Sequence, residues 1–267
     1  MKRVAFFILF LYLAVCGQAH SAPEHDLGSA GTLEGDIYVL SVFVSDNHYG
    51  TWTTAEKDEM VKKETEALNW IKRQAAPYGV EINYTRGCYG YSGDIKLDHI
   101  MRGSASGRED VDLVGKALRA AGYSRPLAFY DWVLDETPCA ETFVILYVKG
   151  NGISYNISFQ KKEMDEEKYF VEGCVIYENY DDGRTMAASA IAHEILHCFG
   201  AWDLYANFAQ SPEVEAHAKR LFPNSIMLRA DYNINKLSVD PLTAWLIGWN
   251  DDPEGWYNSF MPDYLKH

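Results

Sequence analysis

The chain has 267 residues, of which 48% are apolar, and 24 basic against 38 acidic side chains give a formal charge of −14. These proportions exclude a disordered acidic tail, a collagen-like repeat and a coiled-coil rod, and they suit one large domain or two small ones. A field of that sign repels phosphate backbones and anionic surfaces, which argues against a nucleic-acid partner.

Lys2 and Arg3 precede an apolar run over 4–15, and small residues follow it. This is the pattern of a secretory signal peptide over residues 1–21. The run falls short of the ~20 apolar residues of a spanning helix, and no later segment reaches that length, so no membrane span is expected. The expected location is secreted and extracellular, or periplasmic in a bacterium. Cutting the leader leaves 22 basic against 38 acidic residues, a charge of −16. It also leaves four cysteines, Cys88, Cys139, Cys174 and Cys198. An even number in an exported chain suits two disulfides, with the pairing open.

Residues 22–36, rich in Gly, Ala, Ser and acids, read as a flexible lead-in. The β-branched and aromatic run over 37–44 predicts a buried strand. Thr53 or Thr54 can cap a helix with Glu56 and Asp58 in its first turn and Met60, Leu68 and Ile71 at helical spacing. Pro77 and Gly79 stop it, and residues 80–85 alternate as a strand. Residues 86–107 are Gly-rich and read as loop, and a second helix is expected over roughly 108–121. From Leu127 onward the pattern reads as strands, at 143–148, 153–159 and 169–177. The sequence Lys149-Gly150-Asn151-Gly152 reads as a hairpin turn between the first two. One helix is expected over 185–199, a short one near 212–221, and an apolar one near 240–248. The sum is an α+β domain over 37–267, built on a twisted mixed sheet with two long helices and a smaller helical C-terminal subdomain from about 200.

Residues 193–197 are His193-Glu194-Ile195-Leu196-His197, inside the helix expected over 185–199. Four residues turn a helix by about 400°, so both imidazoles leave one face within about 40° of each other. Two such nitrogens can approach one metal ion, and Glu194 beside them can take a proton from water activated there. A chance HExxH arises in roughly one chain per hundred at average composition, so its extension matters. Gly200 permits the left-handed turn that ends a helix, and Asp203 brings a carboxylate six residues after His197. His193, His197 and Asp203 form a three-ligand set with a fourth position open for water, the layout of a catalytic zinc. Glu213, Glu215 and His217 are rivals for the third place.

The string His193-Glu194-x-x-His197-x-x-Gly200-x-x-Asp203 resembles the metzincin clan of zinc metallopeptidases, in the snapalysin-type form whose third ligand is Asp. The resemblance implies a metzincin-like fold and a methionine turn beneath the metal, which Met227 in Asn224-Ser225-Ile226-Met227 fits. Several members carry a tyrosine two residues after that methionine, and here the position is Arg229. Tyr232, Tyr205 and Arg229 are therefore the candidates to support a developing oxyanion. The expected activity is that of a secreted zinc-dependent endopeptidase, acting on peptide or protein substrates as a monomer. One zinc ion is the expected cofactor, and the 38 acidic residues leave room for calcium. The rival class is a non-catalytic exported zinc-binding or adhesion module that retains the metal helix.

Overall fold

The apolar run at 37–44 becomes the core of β1 (Gly35–Ser45), a central strand of the sheet in the computed structural model of the protein. The structure describes residues 28–98, 100, 111–158, 170–207, 209–251 and 254–262. The expected signal peptide over 1–21 lies outside the described residues. α1 (Thr54–Ala75) starts on a capping box in which Thr53 accepts from Glu56 N–H and the Glu56 side chain accepts from Thr53 N–H. β2 (Ile82–Tyr89) then pairs parallel with β1, and the short β3 (Ile95–Lys96) pairs with the end of β1.

α2 (Leu113–Ala120) and α3 (Pro126–Glu136) precede β4 (Glu141–Asn151), β5 (Tyr155–Ile157) and β6 (Gly173–Asn179). Among the described residues the sheet runs β2-β1-β4-β6-β5, parallel throughout except for β5, which lies antiparallel on β6 at one edge. α4 (Ala188–Cys198), α5 (Pro212–Leu221) and α6 (Pro241–Leu246) complete the chain. The protein is thus α+β with a mixed six-stranded sheet and six α-helices among the described residues.

Alternation along the strands sends side chains to two helical layers. From β1, Ser41 bonds Glu64 on α1 and Phe43 stacks on Tyr147, whose hydroxyl also reaches Glu64. Phe143, on the same face of β4, meets Phe199 at the end of α4. On the opposite face Tyr38 packs on Phe129 and Trp132 of α3. Glu64 is fully buried and is compensated by Ser41, Tyr147 and Arg86, which bolts α1 to the sheet. No helix among the described residues is long and apolar enough to cross a membrane.

Several expectations are corrected. The segment from Leu127, read as strand, is helical in α3: Pro126 stands in its first turn and Phe129 and Val133 share its buried face. Residues 86–89, read as loop, extend β2, and 95–96 form β3. The second helix begins at Leu113, with 101–110 outside the described residues. The Lys149–Gly152 stretch does not close a hairpin, because β4 continues to Asn151 beside β6 and β5 pairs with β6 instead. The described part of the lead-in, from residue 28, is packed. Ser29, Ala30 and Leu33 are buried, and Glu172 accepts from Ser29 N–H, Ser29 Oγ–H and Ala30 N–H. Its small residues permit a close fit that its composition alone does not reveal.

The disulfide expectation is also corrected. Cys88, Cys139, Cys174 and Cys198 are all free thiols, Cys88 exposed and the others buried. Cys174 of β6 and Cys198 of α4 are buried in the core, where they pack as small apolar groups, and Cys198 Sγ–H donates to Glu194 O at 3.5 Å.

Candidate metal centre

α4 is short and largely buried, and it ends at a glycine turn. Gly200 has φ +92°, its N–H donates to His197 O, and Ala201 N–H donates to Leu196 O. A Cβ would be strained at that φ, which is the reason for glycine there. The reversal brings Ala201 O back over the helix end, where it accepts from His197 Nδ1–H at 2.7 Å. His193 Nδ1–H donates in the same way to Ile226 O at 2.9 Å. With both Nδ1 atoms engaged as donors, Nε2 is the atom that each neutral imidazole has left to offer a metal ion, and both point into the site.

Those acceptors converge. His193 Nε2 and His197 Nε2 lie 3.1 Å apart, and Asp203 Oδ1 stands 3.1 Å from the second and 3.3 Å from the first. Three lone-pair atoms at such spacing repel unless a cation or a proton sits among them. Among the described residues, this is the group of three His, Cys, Asp or Glu side chains able to hold a metal ion. The electrostatics agree. Burial acts to lower the His197 imidazole, yet the Asp203 carboxylate outweighs it and raises its pKa to about 9. Burial likewise acts to raise Asp203, and the two imidazoles hold it far below the ordinary carboxylate range.

Asp203 is held from behind. Its Oδ2 accepts from Asn207 Nδ2 at 2.7 Å, so one oxygen faces the histidines and the other faces the protein. Asn207 Oδ1 accepts from Ala209 N–H and Gln210 N–H, and Gln210 Nε2 donates to both Asp203 O and Phe260 O. Leu204 N–H donates to Met227 O, tying the Asp203 loop to the turn at 225–229. In that turn Ser225 Oγ accepts from Met227 N–H and donates to Asp240, the N-cap of α6. Met227 itself is fully buried.

Glu194 lines a cavity of about 340 Å3 together with His193, Tyr205, Ile226, Leu228 and Arg229. Burial pushes the Glu194 carboxyl up, against the lowering effect of the two histidines. Tyr205 stands beside the ligand set, its ring 6.2 Å from that of His193. Arg229 lines the cavity but is ion-paired to Asp231 at 2.9 Å. Tyr232 is half exposed and packs on Tyr180 outside the cavity lining.

The rivals for the third ligand are engaged elsewhere. Glu215 accepts from Ala206 N–H and pairs with Lys219, His217 stacks on Phe260 at 5.0 Å, and Glu213 is exposed near the start of α5. Sequence reasoning missed Asn207, Gln210 and the carbonyls of Ala201 and Ile226. The Asn207 side of the loop carries a local turn signal, whereas a backbone carbonyl leaves no residue-type signal at all. No protein-family model and no curated protein sequence matches the chain.

Proposed function

We propose that the protein is a zinc-dependent peptidase of metzincin type, with His193, His197 and Asp203 as metal ligands and Glu194 as general base and acid. The spacing of the three donor atoms carries the reading. Ligands about 2.0–2.1 Å from a tetrahedral zinc lie about 3.3 Å from one another, and the observed separations are 3.1, 3.1 and 3.3 Å. Two imidazoles and one carboxylate suit zinc in softness, and three protein ligands leave a place for water. When bound, zinc supplies Lewis acidity that polarises a carbonyl and makes water a nucleophile near neutral pH.

The chain's own residues do the remaining work. Glu194, next to His193 on the same helix, takes the proton of the attacking water on a carboxylate oxygen. It then delivers that proton to the departing amine nitrogen. Burial raises its pKa toward neutrality, which suits a group that must both accept and release a proton. Tyr205, beside the ligand set, is the best placed of the three tyrosine and arginine candidates to donate to the oxyanion. Among the described residues β5 is paired on one side only, and the approach to it supplies Gly152, Ile153 and Ser154 to the cavity, so an extended peptide can add there.

Metal content tests the ligand set. Purified wild type is expected to hold zinc, and Asp203→Ala and His197→Ala to lose it, while Glu215→Ala keeps it. Retention of zinc by Asp203→Ala overturns the assignment.

A further inference from the structure

His193 and His197 ride on α4, whereas Asp203 stands outside any helix or strand, in the stretch between α4 and α5. Its place must therefore be fixed by contacts with other parts of the chain. Gln210 makes two of them with one group. Its side chain is buried, and Nε2 donates to Asp203 O at 2.9 Å and to Phe260 O at 2.8 Å. Both facing atoms are carbonyl oxygens, so an amide NH2 satisfies the pair, whereas a carboxylate there would set acceptor against acceptor. The Gln210 main chain closes on the same loop: its N–H donates to Asn207 Oδ1, and its carbonyl accepts from Asn207 N–H. Asn207 thus holds the second carboxylate oxygen of Asp203, while Gln210 holds the peptide that carries it.

Phe260 ends a 3-10 turn over Tyr257–Phe260 that is firmly seated. Its ring is fully buried, with His217 of α5 stacked on it at 5.0 Å and Phe222 and Trp256 each at 5.9 Å. Tyr257 packs on Trp245 of α6 at 5.6 Å. The N-cap of α6, Asp240, accepts from Ser225 Oγ, in the turn whose Ile226 O accepts from His193 Nδ1–H. One turn therefore meets the supports of two ligands, that of Asp203 through Gln210 and that of His193 through α6.

We infer that Gln210 is a positioning residue for the metal centre, and that it sets Asp203 by tying its main chain to the turn at 257–260. The inference rests on the ligand assignment made above. Gln210 touches neither the ion nor the reacting atoms; it keeps Asp203 Oδ1 in place beside the two imidazole nitrogens.

The probes are Zn2+, followed by competition with a chromophoric chelator, and Co2+, whose visible absorption reports the geometry of its ligands. Gln210→Met keeps the length of the side chain and removes its donors. It is expected to weaken zinc binding about 10-fold or more, the scale of an outer-shell loss, and to alter the cobalt spectrum. Gln210→Glu is expected to weaken it further. Arg86→Ala, which loosens α1 on the sheet without touching the loop, is expected to lower the denaturation midpoint and leave both readouts at wild type. A chain ending at residue 253 lacks the turn and is expected to bind zinc more weakly. Adding Gln210→Met to it is expected to cost less than in the full chain, because the bridge has already lost one end. If the shortened chain fails to fold, the full-length variants decide the question alone. Zinc affinity of Gln210→Met within twofold of wild type, with an unchanged cobalt spectrum, overturns the inference. So does an Arg86→Ala variant that moves both readouts as far, since general destabilisation then accounts for them. If wild type binds zinc but hydrolyses nothing, the peptidase reading fails and the positioning role stands. A wild type that takes up neither ion overturns both.

Discussion

Replacing Asn207 by alanine separates the contribution of the third ligand's support from that of the ligand itself. Asn207 Nδ2 is the donor to Asp203 Oδ2 at 2.7 Å, and Asn207 Oδ1 closes the turn through Ala209 N–H and Gln210 N–H. Without it the Asp203 carboxylate is free to rotate, and the second oxygen is left facing protein with one partner fewer. Loss of an outer-shell partner of this kind typically weakens metal binding about 10- to 100-fold. That corresponds to roughly 1.4–2.8 kcal/mol. Zinc affinity of Asn207→Ala, measured by competition with a chromophoric chelator at neutral pH, is expected to fall within that range. Asp203→Ala is expected to lose more, because it removes a donor atom from the set. An Asn207→Ala affinity within twofold of wild type, with Asp203→Ala strongly impaired, refutes the view that this hydrogen bond orients the carboxylate.

Other outcomes follow from the same geometry. Gly200→Ala forces a Cβ into φ +92°, so the variant is expected to lose about 1–2 kcal/mol in chemical denaturation; an unchanged midpoint contradicts the strain. Tyr205→Phe is expected to lower kcat on the order of 10²-fold while zinc content stays at the wild-type level; unchanged kcat removes Tyr205 from the oxyanion role. Burial raises Glu172 to about 8, so between its ordinary carboxylate pKa and 8 the folded state holds a proton that the unfolded state has released. Stability contributed by that proton is present at low pH and is lost as pH rises through 8. Glu172→Gln, which cannot titrate, is expected to gain stability relative to wild type from pH 5 to pH 8, and parallel curves contradict the assignment. Thiol titration of the unfolded, unreduced protein is expected to find Cys88, Cys139, Cys174 and Cys198 all reactive, and a missing pair contradicts the free-thiol structure.

The parts that sequence reading captured are those specified locally. The Thr53 and Glu56 capping box marks the start of α1 within one residue, and α5 matches its expected 212–221 span, with Ser211 as its cap. The two histidines were placed on one helical face by their spacing alone, and Gly200 by the turn it must make. α3 was missed because Phe129, Tyr130, Trp132 and Val133 favour strands intrinsically, and helical packing against Tyr38 and Tyr123 overrides that preference. The pairing of β5 with β6 was missed because the Gly-rich stretch at 149–152 is a turn by composition, while the sheet places β6 beside β4. Asn207, Gln210 and the Ile226 carbonyl act through tertiary placement, and their spacing to the ligands follows no helical or strand period.

The most direct test of the account is cleavage of an unstructured protein substrate such as casein by zinc-loaded wild type and Glu194→Gln at matched zinc content. Wild type is expected to hydrolyse casein and the variant to fall to near background, both holding one zinc ion. Equal rates, or none from a zinc-loaded wild type, contradict it and leave the three-residue centre as a binding site alone.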